Sequence, residues 1–160
     1  MLPESGVIVG DAAFPLKTYL MKPYPGDNLS VDAKIFNYRL SRARRIVENA
    51  FGILVSRFRV FEKPIPTKLD TVDAMVCATC ALHNWLRKKS KSYITAACID
   101  REDQHGNLLP GSWREEITTL ESISNQGNNH SANNAREKRD TYKNFFMDVG
   151  SVPWQLNSIS

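Results

Sequence analysis

Phe36, Leu40, Ala43, Val47, Phe51, Leu54 and Phe58 recur at steps of three and four residues. That spacing makes one apolar stripe on an α-helix and fits no strand, whose side chains alternate with a period of two. It predicts a helix from about Val31 to Phe61, with Ser30 as its N-cap. At about 100° per residue, Glu48 lies about 100° from the centre of the stripe, on a flank shared with Asn37, Arg44 and Val55. Gly52 costs some helix propensity and marks a close backbone approach.

The flanking segments follow from turn and breaker residues. Val7, Ile8 and Val9 are β-branched and bracketed by glycines, so residues 6–14 read as a short buried strand. Pro15, Pro23, Pro25 and Gly26 make Pro15 to Asn28 a loop. Lys63-Pro64-Ile65-Pro66 ends the long helix. Asp70 and Asp73 open a second helix over 71–89, apolar nearly all round and therefore expected to be buried. Tyr93 to Ile99 reads as a strand and Asp100 to Gly111 as a polar loop turning at His105-Gly106-Asn107. Arg114 to Ile123 reads as a short helix, Asn125 to Asn134 as a linker, and Ala135 to Met147 as an amphipathic helix.

Charge is distributed in blocks. Residues 1–38 hold three bases and four acids, 39–91 twelve bases and four acids, and 92–160 six bases and nine acids. The central excess of +8 is a localised field of the kind a polyanion meets; a solvated helix face gives the same count. Three cysteines, an odd number, argue against a secreted disulfide framework. No apolar run reaches the roughly 18 to 20 residues of a membrane span.

Two carboxylates stand in contrasting settings. Asp11 follows the short strand, where a rigid placement suits a metal ligand; taken alone it reads first as an aspartate in a turn. Glu48 lies within an arginine-rich helix, where Arg44 and Arg45 also make ordinary helix ion pairs with it. Mg²⁺ takes one to three such oxygen ligands and keeps waters. Arg39, Arg42, Arg44, Arg45, Arg57 and Arg59 surround that helix. Arg42 and Arg45 face away from the stripe, suited either to phosphates or to solvent. Lys88 and Lys89 form a basic patch that also suits a helix C-terminus. Cys77, Cys80 and His83 have zinc-like spacing on one side of a helix, with Cys98 a possible fourth ligand. Structural zinc sites draw ligand pairs from separate loops, so core cysteines are the favoured reading.

In order along the chain, Val9-Gly10-Asp11-Ala12-Ala13-Phe14-Pro15-Leu16 and Tyr19-Leu20-Met21-Lys22-Pro23-Tyr24 resemble the segment around the second catalytic aspartate of PIF/Harbinger-type DDE transposases. Phe36-Asn37, Leu40-Ser41-Arg42-Ala43-Arg44 and Val47-Glu48-Asn49-Ala50-Phe51-Gly52 resemble the segment of the third catalytic acid. Arg57-Phe58-Arg59, Ala81-Leu82-His83-Asn84 and Val152-Pro153-Trp154-Gln155 match further signatures. Phe14 stands where the family often has tyrosine, and Val55 where it often has lysine. The resemblance implies an RNase H-like α/β fold, a divalent metal (Mg²⁺ or Mn²⁺) and DNA cleavage or strand transfer; the odd cysteine count fits a reducing compartment, the nucleus first and the cytosol as the alternative. The resemblance makes Asp11 the second metal ligand and Glu48 the third.

The family's first aspartate lies well upstream of the second, on a strand without a counterpart among these residues. The expectation is therefore a DDE catalytic domain truncated at its N-terminus, mostly helical with one or two strands. Residues 1–92 would be the C-terminal part of that domain, 93–124 loop and short elements, 125–134 linker, and 135–160 helix and tail. Expected activity is weak or absent for the chain alone. DNA is the expected partner, bound through Arg39, Arg42, Arg45, Arg57, Arg59, Lys88 and Lys89, with a protein partner or oligomer completing the sheet and no membrane. Two alternatives remain open: a non-catalytic DNA- or protein-binding module, and a remnant without function that exposes apolar surface.

Overall fold

The structure, a computed structural model, describes residues 6–104, 106–117 and 131–159. Its elements in chain order are β1 (Ile8–Val9), β2 (Leu20–Met21), α1 (Val31–Arg57), α2 (Leu69–Lys89), β3 (Arg101–Glu102), β4 (Leu108–Leu109), α3 (Trp113–Glu116) and α4 (Asn133–Met147). The described chain is thus mostly helical with little strand. It forms two compact units: one from the residues up to Arg45, Gly106–Asn107 and those from Ser131 onward, the other from Ile46–Gln104 and Leu108 to Ile117.

In the first unit β1 and β2 pair in parallel, Ile8 opposite Leu20 and Val9 opposite Met21. The Gly10 N–H donates to Met21 O at 2.8 Å and extends the pairing by one residue. The strand is shorter than the expected 6–14, because Asp11 turns the chain: Phe14 N–H donates back to Asp11 O at 3.3 Å. It is not buried throughout, since Ile8 is exposed. Leu16, Met21, Phe36, Leu40 and Ala135 form the core, with Val7, Val9, Tyr24, Tyr142 and Phe146 packed around it. Asn37 clamps the Tyr24 backbone, accepting from its N–H at 2.7 Å and donating to its carbonyl at 3.0 Å. Lys143 Nζ lies 2.7 Å from Asp32 Oδ2 and ties α4 to the first turn of α1.

α1 runs as its stripe predicts and stops at Arg57, followed by a 3-10 turn at Arg59–Glu62. Lys63, before Pro64, is extended (φ −134°, ψ 156°), as the proline requires. The stripe is not buried from end to end. Phe36, Leu40 and Leu54 are buried, whereas Ala43, Val47 and Phe51 are exposed. Each unit draws its core from its own part of α1, and the stripe residues Ala43, Val47 and Phe51 between the two buried stretches are exposed.

The core of the second unit is Ile53, Cys98 and Trp113, with Ile94, Ile99 and Ile117 against it. Three expectations are corrected in this unit. α2 has no buried residue: a helix apolar all round is covered only where another element meets it, and here that is the side holding His83, whose Nδ1 lies 2.9 Å from the Tyr93 hydroxyl. Residues 93–99 form no strand; Ala96–Cys98 is a 3-10 turn in which Cys98 N–H donates to Thr95 O at 3.0 Å. The segment expected as polar loop contains the antiparallel pair β3–β4, Arg101 opposite Leu109 and Glu102 opposite Leu108. Gly106, with φ +83°, makes the expected turn, and His105 lies outside the described residues. The expected helix from Arg114 reduces to α3, its part beyond Ile117 lying outside the described residues. α4 begins at Asn133, inside the expected 125–134 linker, of which residues 125–130 are not described.

Candidate functional site

Asp11 stands just past the carboxyl end of β1. One carboxylate oxygen, Oδ1, accepts from the Ala13 N–H at 2.9 Å, which fixes the side chain as the turn forms. The other, Oδ2, lies 4.0 Å from Arg44 Nη2, and 38% of the side chain remains exposed. The carboxylate is therefore oriented by the backbone yet open to a ligand. Asp11 is thus a turn aspartate, set at the carboxyl end of a strand in a parallel pair.

Glu48 lies in the second unit on α1, half-buried. It acts electrostatically on Arg114, whose pKa is raised chiefly by its bond to Asp100 and to a lesser degree by Glu48. Asp11 and Glu48 thus belong to different units, and each is set by its own surroundings. Among the described residues no group of three or more His, Cys, Asp or Glu side chains could hold a metal ion. Cys77 is exposed on α2, against the expectation of a core cysteine, and Cys80 is half-buried, so neither is a core cysteine; Cys98 is buried in its place. Burial, then the charge of Arg87, lowers the pKa of His83 and favours its neutral form.

The basic residues divide by what they touch. Arg39 donates to Gly150 O at 3.0 Å and Gln155 Oε1 at 3.4 Å, and lies 4.7 Å from the Phe146 ring centroid. Arg42 stacks 5.2 Å from the Trp154 ring. Gln155, buried, donates to Phe146 O at 2.9 Å. The Val152-Pro153-Trp154-Gln155 motif is therefore a strap, tied to α1 by Arg39 and Arg42 and to α4 by Gln155. Arg57 approaches Glu116 at 3.9 Å and Cys98 Sγ at 3.6 Å. Arg59 pairs with Glu62 at 3.1 Å. Arg45 is half-buried, whereas Lys88 and Lys89 project into solvent at the end of α2.

A buried polar cluster went unseen in the sequence. Asn49 Oδ1 accepts from Asp100 N at 2.8 Å and Trp113 Nε1 at 2.9 Å, while its amide donates to Asp100 O at 3.2 Å. The Asp100 carboxylate, fully enclosed, accepts from Gly111 N at 2.7 Å and from Arg114 Nη2 at 2.5 Å. A Cβ on Gly52 would collide with the Trp113 indole. Glu48 is thereby followed by a residue pinned at one helical position and a glycine pressed on a tryptophan three positions later. The sequence signal was the Glu48-Asn49-Ala50-Phe51-Gly52 run itself; nothing local marked Asp100 or Arg114 as its partners.

Residues 1–84 match the family described as DDE superfamily endonuclease, a span that includes Asp11, Glu48 and the motifs between them. The chain is also similar to "Protein ALP1-like" of Arabidopsis thaliana, 34% identical over 114 residues, covering 69% of this chain and 24% of that protein. It therefore spans about a quarter of that relative's length. No solved structure matches it. No helix among the described residues is long and apolar enough to cross a membrane. On the match over more than half its length, and on the ordered motifs that the match contains, the chain belongs to the PIF/Harbinger-type DDE transposase family.

Proposed function

We propose that this chain supplies two of the metal-binding carboxylates, Asp11 and Glu48, of an RNase H-like domain that cleaves or transfers DNA strands in the nucleus. The observation that carries the reading is the position of Asp11: past the carboxyl end of a parallel strand, held by the Ala13 N–H and with 38% of its side chain exposed. The donor chemistry fits a hard divalent cation, which is satisfied by one or two carboxylates together with water and phosphate oxygens. Such a cation, when bound, activates an attacking oxygen and stabilises the leaving one on a phosphodiester. Asp11 and Glu48 hold and orient; the third acid comes from outside the described residues. On two carboxylates alone, DNA cleavage is weak or absent.

Calorimetric titration with Mn²⁺, run beside plasmid cleavage in Mg²⁺, tests this. The expected result is weak Mn²⁺ binding that falls in both Asp11→Asn and Glu48→Gln, with little cleavage. Mn²⁺ binding unchanged in both variants would reject the ligand assignment. Strong Mg²⁺-dependent cleavage lost in Glu48→Gln would show that the two acids suffice.

The second reading, a non-catalytic module binding DNA, draws support from the exposed Lys88 and Lys89 within the central basic block. It requires affinity that falls steeply with salt, because neutralised phosphates release counterions. A flat salt dependence speaks against it.

A further inference from the structure

α2 carries a face that its own unit leaves open. At about 100° per residue, Asp70, Ala74, Ala78, Ala81, Trp85 and Lys88 fall within an arc of about 80°. All six are exposed, Trp85 at 54%. The arc lies opposite the side on which His83 meets Tyr93. An open tryptophan beside three alanines is an apolar strip with one large knob and a row of shallow seats, bounded by an acid at one end and a base at the other.

The ends of this strip are related in a particular way. Asp70 and Lys88 are 18 residues apart, five complete turns, so they project from the same side of the helix. A two-fold antiparallel pairing of α2 with a second copy, centred level with Thr79, keeps that side in register. Asp70 then faces the second copy's Lys88 twice over, and each Trp85 lies over the small residues around the second copy's Ala74. In a parallel pair the like charges would meet instead. We infer that α2 is a self-association surface, and that its occupant is the α2 of a second copy of this chain in antiparallel orientation. This goes beyond the proposed catalytic role and does not depend on it.

The two-fold arrangement is isologous, so one substitution acts at both ends of the contact. Sedimentation velocity on the whole chain, without DNA or metal, over a range of protein concentrations, tests it. The expected result is a discrete monomer–dimer equilibrium. Asp70→Lys and Lys88→Asp should each weaken dimerisation by at least about tenfold, because two opposite-charge contacts become like-charge contacts. The double variant D70K/K88D should restore it. Trp85→Ala should weaken it as well, with circular dichroism confirming that every variant is folded. A chain that stays monomeric at high concentration, or a double variant no better than either single one, overturns the inference. So does association into mixed large species indifferent to both charges.

Discussion

Asn49 and Asp100 read each other's backbone and side chain: the Asp100 N–H donates to Asn49 Oδ1 at 2.8 Å, and the Asn49 amide donates to the Asp100 carbonyl at 3.2 Å. The same Asn49 oxygen takes the Trp113 indole N–H at 2.9 Å. One buried amide thus locks a loop and a short helix onto α1 immediately beside Glu48. Removing it leaves the Asp100 N–H and the Trp113 indole N–H without their acceptor, at about 1–3 kcal/mol for each group left unsatisfied. Asn49→Ala should therefore lower unfolding free energy by about 3 kcal/mol, read from the urea midpoint. Glu48→Gln, one residue away, should leave that midpoint nearly unchanged. Equal effects from the two would show that the Glu48 carboxylate itself helps to hold the fold.

Gly52 makes a second prediction whose sign opposes helix propensity. In an exposed helix, Gly→Ala stabilises by up to about 1 kcal/mol. Here the added methyl meets the Trp113 ring, and overpacking a core costs about 1–3 kcal/mol. Gly52→Ala should be destabilising by thermal melt, and near-UV circular dichroism should show the displaced indole. A higher melting temperature would mean that Trp113 has room to move.

How legible the molecule was follows from the range of the interactions. The α1 stripe, the Pro64 break, the Asp70 start and the terminal helix are local, and periodicity with breakers located each within a few residues. The family was legible because ordered motifs surround Asp11 and Glu48, although singly each resembles an ordinary turn or helix acid. The burial of α2 was misjudged because hydrophobicity reports what a helix can bury and not whether anything covers it. The intramolecular partners of Arg39 and Arg42, which are Gly150, Gln155 and Trp154, were not legible because they lie more than a hundred residues away in sequence. The Asp100 cluster was illegible for the same reason, since no spacing rule connects residue 49 to residues 100 and 113.

The Asp32–Lys143 pair gives a pH prediction. Its bond to Lys143, then one to Ser30, lowers the Asp32 pKa from 3.8 to about 2. Because the folded value is depressed, the contact contributes in full above the unfolded value near 3.8, and its contribution fades as pH falls through about 2. In Lys143→Met the carboxylate should titrate closer to its ordinary value, measured by NMR of the Asp32 side chain. Acid unfolding should then begin at higher pH. A titration unchanged by Lys143→Met would assign the shift to Ser30 and the helix start.

Among the basic residues, phosphate contact is best tested where the side chain has no structural duty. If DNA binds, Lys89→Ala should weaken it equally for all sequences and reduce the slope of log affinity against log salt by about 1. Arg39→Ala should act differently. It releases the strap at Gly150 and Gln155, so its loss of binding should track a loss of stability, with the salt slope preserved. A reduced slope in a stably folded Arg39→Ala protein would return Arg39 to the nucleic-acid surface.

Arg44 supplies the sharpest test of Asp11. Its guanidinium lies 4.0 Å from Asp11 Oδ2, where a divalent cation would also seek the carboxylate. At that range two unit charges near a protein surface interact by on the order of 1–4 kcal/mol. Positive charge so placed opposes a second cation, so Arg44→Gln should tighten Mn²⁺ binding at Asp11 by roughly fivefold or more. The gain should vanish in the double variant Arg44→Gln/Asp11→Asn. If Arg44→Gln weakens binding instead, the arginine serves to orient the carboxylate, and orientation outweighs repulsion at this site.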